Sequence, residues 1–428
     1  DGSAPGGNRQ KFTWSAWFKR SSVGATQILA SSSYSGSDEG YLFLSGGGVL
    51  GWQSTNGGDG NLGTNMVWRD LSAWYHVVFS VDTTQSTATN RIKLYVNGSQ
   101  YTWDNSTTQP NVNQSLYFNV GGSYNSYIGR RAGGDYFDGY MSEIVFIDNA
   151  QLAADSFGEF DSDSGVWKPL ESVEDLTFGT SGYYLNFQNS SALGTDVSGV
   201  GNTFTANNLA AIDQTTDTCT NNFATMNPLD NFYYNGVFTE GNLKIINGSG
   251  REAGATSTFA ISNGKWFWEA KPKSNVAPVI GIQSVPSAAN TSSSASMQVN
   301  GYGYLKTGKV ETSNGSGGST VLATYATYAA DDIIGVAVDL DGNKIYFYKN
   351  GALQGSGVTI TAASATTNGH YFAGFGVLGG QDTFEVNFGS PPFAISSGNA
   401  DGNGYGNFEY AVPSGYYALN TKNLAEYG

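Results

Sequence analysis

One cysteine, two histidines and ten prolines in 428 residues leave several kinds of chemistry without material. Cys219 alone cannot close an internal disulfide, so no disulfide framework is expected. His76 and His370 are too few for a histidine-rich metal centre, and they argue against a Ser-His-Asp triad. Charge is scarce, at 13% of residues, and unbalanced: 20 basic against 35 acidic side chains, a formal net charge of -15. Such a surface repels phosphate backbones and anionic membranes, so nucleic acid is excluded as an expected partner. Long apolar runs are missing as well. Stretches such as Ile333 to Val338 fall far short of the roughly 20 residues a spanning helix needs, and no membrane insertion is expected. The opening DGSAPGGNRQ lacks a basic-then-apolar targeting pattern.

What is present is glycine and aromatic carbon: 58 Gly, 24 Phe, 26 Tyr and 9 Trp, with 39% hydrophobic residues in all. That is enough apolar surface to offset the entropy of ordering, which excludes disorder. The length allows two or three domains at about 100–200 residues each. Period-2 alternation dominates. Trp14, Ala16 and Phe18 alternate with Ser15, Trp17 and Lys19, which reads as a half-buried strand. Trp74 to Asp82 and Tyr140 to Ile147 read as further strands, and Asn149 to Phe157 as the one plausible helical turn.

An internal echo carries more information. Ile92-Lys-Leu-Tyr-Val-Asn97-Gly98 and Ile345-Tyr-Phe-Tyr-Lys-Asn350-Gly351 share the pattern I-x-x-Y-x-N-G, and each follows an apolar strand ending in Val-Asp, at 79–82 and 336–339. Asn-Gly favours positive φ at both positions and closes a tight hairpin. The two copies predict two related β-sandwiches. We therefore expect an all-β chain: a first domain over 1–170, a packed, turn-rich connector over 171–230, and a second domain over 231–428.

The stretches FTWSAWFKR (12–20), WYHVVFSVD (74–82), IKLYVNG (92–98), YIGRR (127–131) and FDGYMSEIVFID (137–148) resemble the concanavalin A-like lectin/glucanase superfamily in its laminin G-like or pentraxin-like form. GKWFWEA (264–270), VIGI (279–282), DDIIGVAVDLDGNKIYFYKNG (331–351) and VNFGSPPF (386–393) resemble a SPRY domain. FGEFD (157–161), DVSGVGNTFTANNL (196–209), DQTTDTCTNNFATMNP (213–228) and YYALNTKNL (416–424) are similar to stretches of tailed-phage virion proteins. These resemblances imply two concanavalin A-like, jelly-roll type sandwiches in a non-enzymatic protein of the virion surface. They also imply a homo-oligomer, with trimers usual for such fibres, whose partners are host surface polysaccharide and other virion proteins.

Glycan binding needs aromatic faces for sugar rings and polar groups for hydroxyls. The loops at Ser33–Tyr41, Gly51–Asn61, Tyr101–Asn105 and Tyr124–Tyr136 fit that description. Trp52, Trp103 and Tyr124 are the stacking candidates, with Asp59 and Asp135 as polar contributors. No cofactor is required, although laminin G-like domains often take a surface Ca²⁺; Asp38 and Glu39 are the loop carboxylates nearest to that role, with no diagnostic spacing. Asp339-Leu-Asp341-Gly-Asn343 starts like a calcium loop, but its twelfth position is Asn350 and strand residues intervene, so a hairpin turn is expected. Glu159-Phe-Asp161-Ser-Asp163 has the i, i+2, i+4 carboxylate spacing of glucanase strands, yet it lacks a final Glu and lies beside turn glycines. The loops of the second domain, at 290–297 and 312–320, are Ser/Gly-rich and poor in aromatics, which favours a structural role there. Adhesion to host carbohydrate is thus the leading expectation. A purely structural fibre or decoration protein is the alternative, and a hydrolase using Glu159 and Asp161 a weak third.

Overall fold

Alternating apolar residues between Gly/Asn turns become strands almost throughout the computed structural model. It describes residues 6–34, 38–103, 108–233, 236–247, 253–273, 278–286, 301–313, 318–377 and 382–428. The chain divides into two units, Asp1–Gln214 and Thr215–Gly428. Residues 171–230 are divided between them: Tyr183–Leu185 is a strand of the first unit, whereas Phe223, Ala224 and Met226 are buried in the second.

The first unit contains β1 (Lys11–Arg20), β2 (Gln27–Tyr34), β3 (Asp38–Leu44), β4 (Val49–Ser54), β5 (Asn61–Val67), β6 (Tyr75–Asp82), β7 (Ile92–Val96), β8 (Ser99–Tyr101), β9 (Asn125–Ile128), β10 (Gly139–Asp148), β11 (Gly158–Phe160), β12 (Trp167–Pro169) and β13 (Tyr183–Leu185). They form a six-stranded sheet in the order β13-β10-β1-β6-β7-β8, a five-stranded sheet in the order β5-β4-β3-β2-β9, and the hairpin β11-β12. Phe12, Trp14, Phe18 and Phe79 meet Leu42, Leu50, Trp52 and Leu62 in the core between the two sheets.

The second unit contains β14 (Phe232–Tyr233), β15 (Val237–Thr239), β16 (Lys244–Asn247), β17 (Ala253–Ile261), β18 (Lys265–Pro272), β19 (Pro278–Gln283), β20 (Gly301–Leu305), β21 (Lys309–Ser313), β22 (Ser319–Thr324), β23 (Ile334–Asp339), β24 (Lys344–Lys349), β25 (Ala352–Thr359), β26 (Tyr371–Val377), β27 (Asp382–Asn387) and β28 (Tyr417–Ala418). One sheet runs β14-β17-β26-β19-β20-β21-β22, the other β15-β16-β27-β18-β23-β24-β25 with β28 added parallel to β18. Among the described residues the only α-helix is α1 (Thr421–Tyr427). The chain is all-β, with two sandwiches.

The echo is real in three dimensions. Asn97 and Gly98 sit at φ 45° and 82°, Asn350 and Gly351 at 48° and 78°. Asn97 Oδ1 accepts the His76 N–H, and Asn350 Oδ1 accepts the Ile333 N–H, both at 2.8 Å. A third strand joins the correspondence. Lys11 pairs with Asp82 across β1–β6 at 3.4 Å, and Lys265 with Asp339 across β18–β23 at 2.9 Å. Each lysine opens a K-x-x-W run, ending at Trp14 and Trp268, that the sequence displayed and the hairpin pattern alone did not include.

Two expectations change. β1 is buried on both faces, with Trp17 only 3% exposed, because residues 157–173 lie across the outer side of its sheet. The helical turn expected in Asn149–Phe157 is a 3₁₀ turn confined to Ala154–Ser156, Asn149 itself has a φ of 67°, and α1 at Thr421–Tyr427 was not anticipated.

Candidate binding site

Register decides where each candidate side chain points. On β4, Trp52 pairs with Leu42 and Leu62 in the inward row and is wholly buried, its Nε1 donating to Asp59 O at 3.1 Å. No face of that ring is open to a sugar. Asp59 is buried too. Its carboxylate accepts from Ser54 Oγ, Asn56 Nδ2, Gln114 Nε2 and the Tyr117 N–H at 2.7–3.0 Å, so both oxygens are occupied. Burial raises its pKa against the pull of those donors. Asp59 is thus the pin that ties the segment around Tyr117 to the sheet. Trp103 is half-buried against the core and donates to Ile92 O at 3.1 Å; Asp104 and Asn105 of the same loop lie outside the described residues.

Tyr124 lies elsewhere, at the rim of the sandwich. Its hydroxyl donates to Asp38 Oδ2 at 3.4 Å. Its ring is 5.3 Å from Tyr34, itself 45% exposed, and stacks with Tyr117 at 6.0 Å. The Arg9 guanidinium lies 5.3 Å over Tyr117. Partial burial and the Asp38 charge raise the Tyr124 phenol, which keeps it a donor. Three tyrosines, a carboxylate and an arginine therefore share one edge.

Asp38 and Glu39 are consecutive on β3, so their side chains leave opposite faces of the sheet. Glu39 turns away from the rim and accepts from Arg131 Nη1 at 2.7 Å; the same guanidinium holds Asp135 at 2.6 Å and covers the Tyr41 ring at 5.1 Å. Burial opposes the charge on Arg131, but the two carboxylates prevail and raise its pKa. The cation between Glu39 and Asp135 is thus a guanidinium. Among the described residues no group of three or more His, Cys, Asp or Glu is placed to hold a metal ion. Tyr34, Tyr117, Arg9 and Arg131 escaped the sequence reading, because the partners that give them meaning come from distant strands. Tyr34 and Arg131 had a signal, inside the Ser33–Tyr41 and Tyr124–Tyr136 loops; residues 35–37 of the first lie outside the described ones.

A Ser-His pair is present and faces the wrong way for nucleophilic chemistry. Ser15 Oγ is 2.8 Å from His76 Nε2, and Trp167 Nε1 donates to His76 Nδ1 at 3.0 Å. An indole only donates, so Nδ1 must accept and Nε2 must carry the hydrogen. His76 then donates to Ser15 instead of taking its proton. Burial drives its pKa down to about 3, so the ring is neutral. Beside it, Glu143 is held at a φ of 50° and bonded to the Tyr184 hydroxyl, its pKa raised by burial. Glu159 and Asp161 share one surface ion-pair partner, Lys168, at 3.3 and 3.1 Å. Asp161 also accepts the Asp163 and Ser164 N–H groups, a turn cap that holds its pKa low.

In the second unit, Asp339 Oδ1 accepts the Gly342 N–H within the expected hairpin turn. His370 sits edge-on to Phe372, and Cys219 is in no disulfide. Of the Ser/Gly-rich loops, residues 290–297 and 314–317 lie outside the described residues.

Residues 3–155 match the family described as the concanavalin A-like lectin/glucanases superfamily, in a laminin G-type model, and residues 265–391 match the SPRY domain. The chain carries a concanavalin A-like domain and a SPRY domain. No curated protein matches it. Among solved structures, the SPRY domain of human HERC1 is 13% identical with a TM-score of 0.31, covering 38% of this chain and 96% of that one. The TRIM65 PSpry domain is 12% identical with a TM-score of 0.28, covering 38% and 91%. Stonustoxin is 13% identical with a TM-score of 0.27, covering 38% and 27%. The lectin-like and SPRY modules together indicate a binding function. In the concanavalin A-like domain the tyrosine rim includes one exposed ring, Tyr34.

Proposed function

We propose that this chain is a non-enzymatic protein of a virion surface whose concanavalin A-like domain adheres to host-surface carbohydrate through the Tyr34–Tyr124–Tyr117 rim. The tyrosine ladder carries the reading. Tyr34, 45% exposed, offers a ring face to pyranose C–H groups, Tyr124 and Tyr117 hold it in place behind, and Asp38 and Arg9 accept from and donate to sugar hydroxyls at its flanks. The virion setting rests on the similarity of residues 157–161, 196–209, 213–228 and 416–424 to tailed-phage proteins. The acidic surface is compatible with an outward-facing protein. Adsorption to host polysaccharide tests the reading: each of Tyr34→Ala and Tyr124→Ala should weaken binding about threefold to tenfold. Undiminished binding by the double variant sinks the rim as the site.

A structural role through inter-subunit contacts is favoured by one observation. β22 is an edge strand without a charged residue, and it exposes Val321 and Leu322 at 47% and 41%. Uncharged edges pair readily with other chains. If copies assemble there, Val321→Lys should dissolve the multimer in light-scattering measurements; a multimer that persists removes this edge from the assembly.

A further inference from the structure

Arg130 is placed unlike the other arginines around it. Its side-on edge is bonded to its own loop, Nε to Arg131 O at 3.1 Å and Nη2 to Ala132 O at 3.3 Å. Its guanidinium lies over two aromatic rings, 5.0 Å from the Tyr127 centroid and 5.3 Å from that of Tyr136. Tyr127 is buried, with its hydroxyl accepting from Asn125 Nδ2 at 3.2 Å, so it forms a fixed floor. Tyr136 is 64% exposed and forms an open wall. The neighbouring carboxylates are spoken for: Glu39 and Asp135 both bind Arg131. Among the described residues no carboxylate pairs with Arg130, and the end-on fork of Nη1 and Nη2 has no partner.

A guanidinium oriented by two carbonyls and two rings has lost its rotamer freedom before any ligand arrives, and its remaining fork matches a carboxylate bidentately. Beside it, the open face of Tyr136 suits the C–H side of a sugar ring. We infer that Arg130, Tyr127 and Tyr136 form a second subsite, selective for the carboxylate of an acidic sugar residue. This shares with the rim reading the premise of a saccharide ligand but uses none of the rim residues. A saccharide is favoured over an acidic peptide because the open neighbour of the fork is an aromatic face rather than a strand edge or a backbone donor.

The test is calorimetric titration of the full chain with oligosaccharides of glucuronate, galacturonate, mannuronate and N-acetylneuraminate, each beside its carboxyl-reduced counterpart. At least one acid should bind about tenfold or more tightly than its reduced form, since a bidentate charge-assisted pair is lost on reduction. That preference should shrink as salt rises, disappear in Arg130→Lys and Arg130→Gln, and weaken in Tyr136→Ala, a surface change that leaves the fold intact. It should survive Tyr124→Ala. No preference for any acid overturns the inference, as does a preference unchanged in Arg130→Lys. A preference abolished by Tyr124→Ala moves the anion to the rim and overturns it too. Equal affinity for an oligoglutamate assigns the fork to peptides and rejects the saccharide.

Discussion

Asn97 and Asn350 do the same three things in different units. Each adopts a left-handed φ, accepts a strand N–H through Oδ1, and donates its own N–H to the carbonyl of that same residue, His76 or Ile333. The glycines that follow are constrained twice. Both have positive φ, and a Cβ on Gly98 would lie 2.3 Å from the Trp167 ring, one on Gly351 2.6 Å from the Tyr410 ring. Gly98→Ala and Gly351→Ala should each destabilise their unit by about 1–3 kcal/mol, from the left-handed backbone and the displaced ring together. Thermal denaturation reads it, and a variant that melts with the wild type contradicts the account. At this scale the sequence was legible where a residue's role is local. Asn-Gly encodes its turn in two adjacent positions. Trp52 does not encode its burial, because the rings of Phe79 and Phe118 that enclose it arrive from other strands. Nor does Asp59 announce that four donors will converge on it.

At the scale of elements, the two units share a device that periodicity conceals. A sheet with one apolar face and one mixed face has its mixed face covered by a later segment. In the first unit the hairpin β11–β12 sets Trp167 on His76 and Gly98. In the second, residues near the C-terminal end lay Phe408 on Phe267 and Tyr410 on Gly351. Alternation in β1 therefore predicted a half-wet strand, because period 2 reports the two faces of a strand and not what is later laid upon them. The cover is testable. Trp167→Ala removes a ring 9% exposed and should cost the first unit about 3 kcal/mol. It should also admit water to His76, whose pKa should climb from about 3 toward its ordinary value. Imidazole proton shifts followed against pH would show the change; a ring that still stays neutral in acid would mean Trp167 is not what desolvates it.

Across the whole molecule these covers bury two titratable groups of opposite sign. His76, neutral in the fold, has its pKa lowered to about 3, so the unfolded chain binds the extra proton. Its stability contribution is complete above about 6.5 and is lost as pH falls toward the folded value. Glu269 lies wholly buried beneath the C-terminal segment, accepting from the Glu409 and Tyr410 N–H groups and Asn387 Nδ2 at 2.9–3.1 Å. Burial outweighs those donors and raises its pKa from 4.5 to about 7. Here the folded chain binds the extra proton, so the contribution is complete below the unfolded pKa and is lost as pH rises through the folded one. At about 1.4 kcal/mol per pH unit, that loss has a ceiling near 3 kcal/mol. Calorimetry of the full chain between about pH 5 and 8 should therefore separate the units by slope. The gap between wild type and His76→Gln should narrow toward acid in the first unit's transition. The gap between wild type and Glu269→Gln should narrow toward base in the second unit's, because Gln cannot gain the charge that the buried site disfavours. Other carboxylates tilt both curves, but each gap cancels what its variant shares with the wild type. Gaps that run parallel with pH would show that neither group changes its proton on unfolding. Gaps that narrow in the same pH direction would show that one of the two covers leaves its group in contact with water.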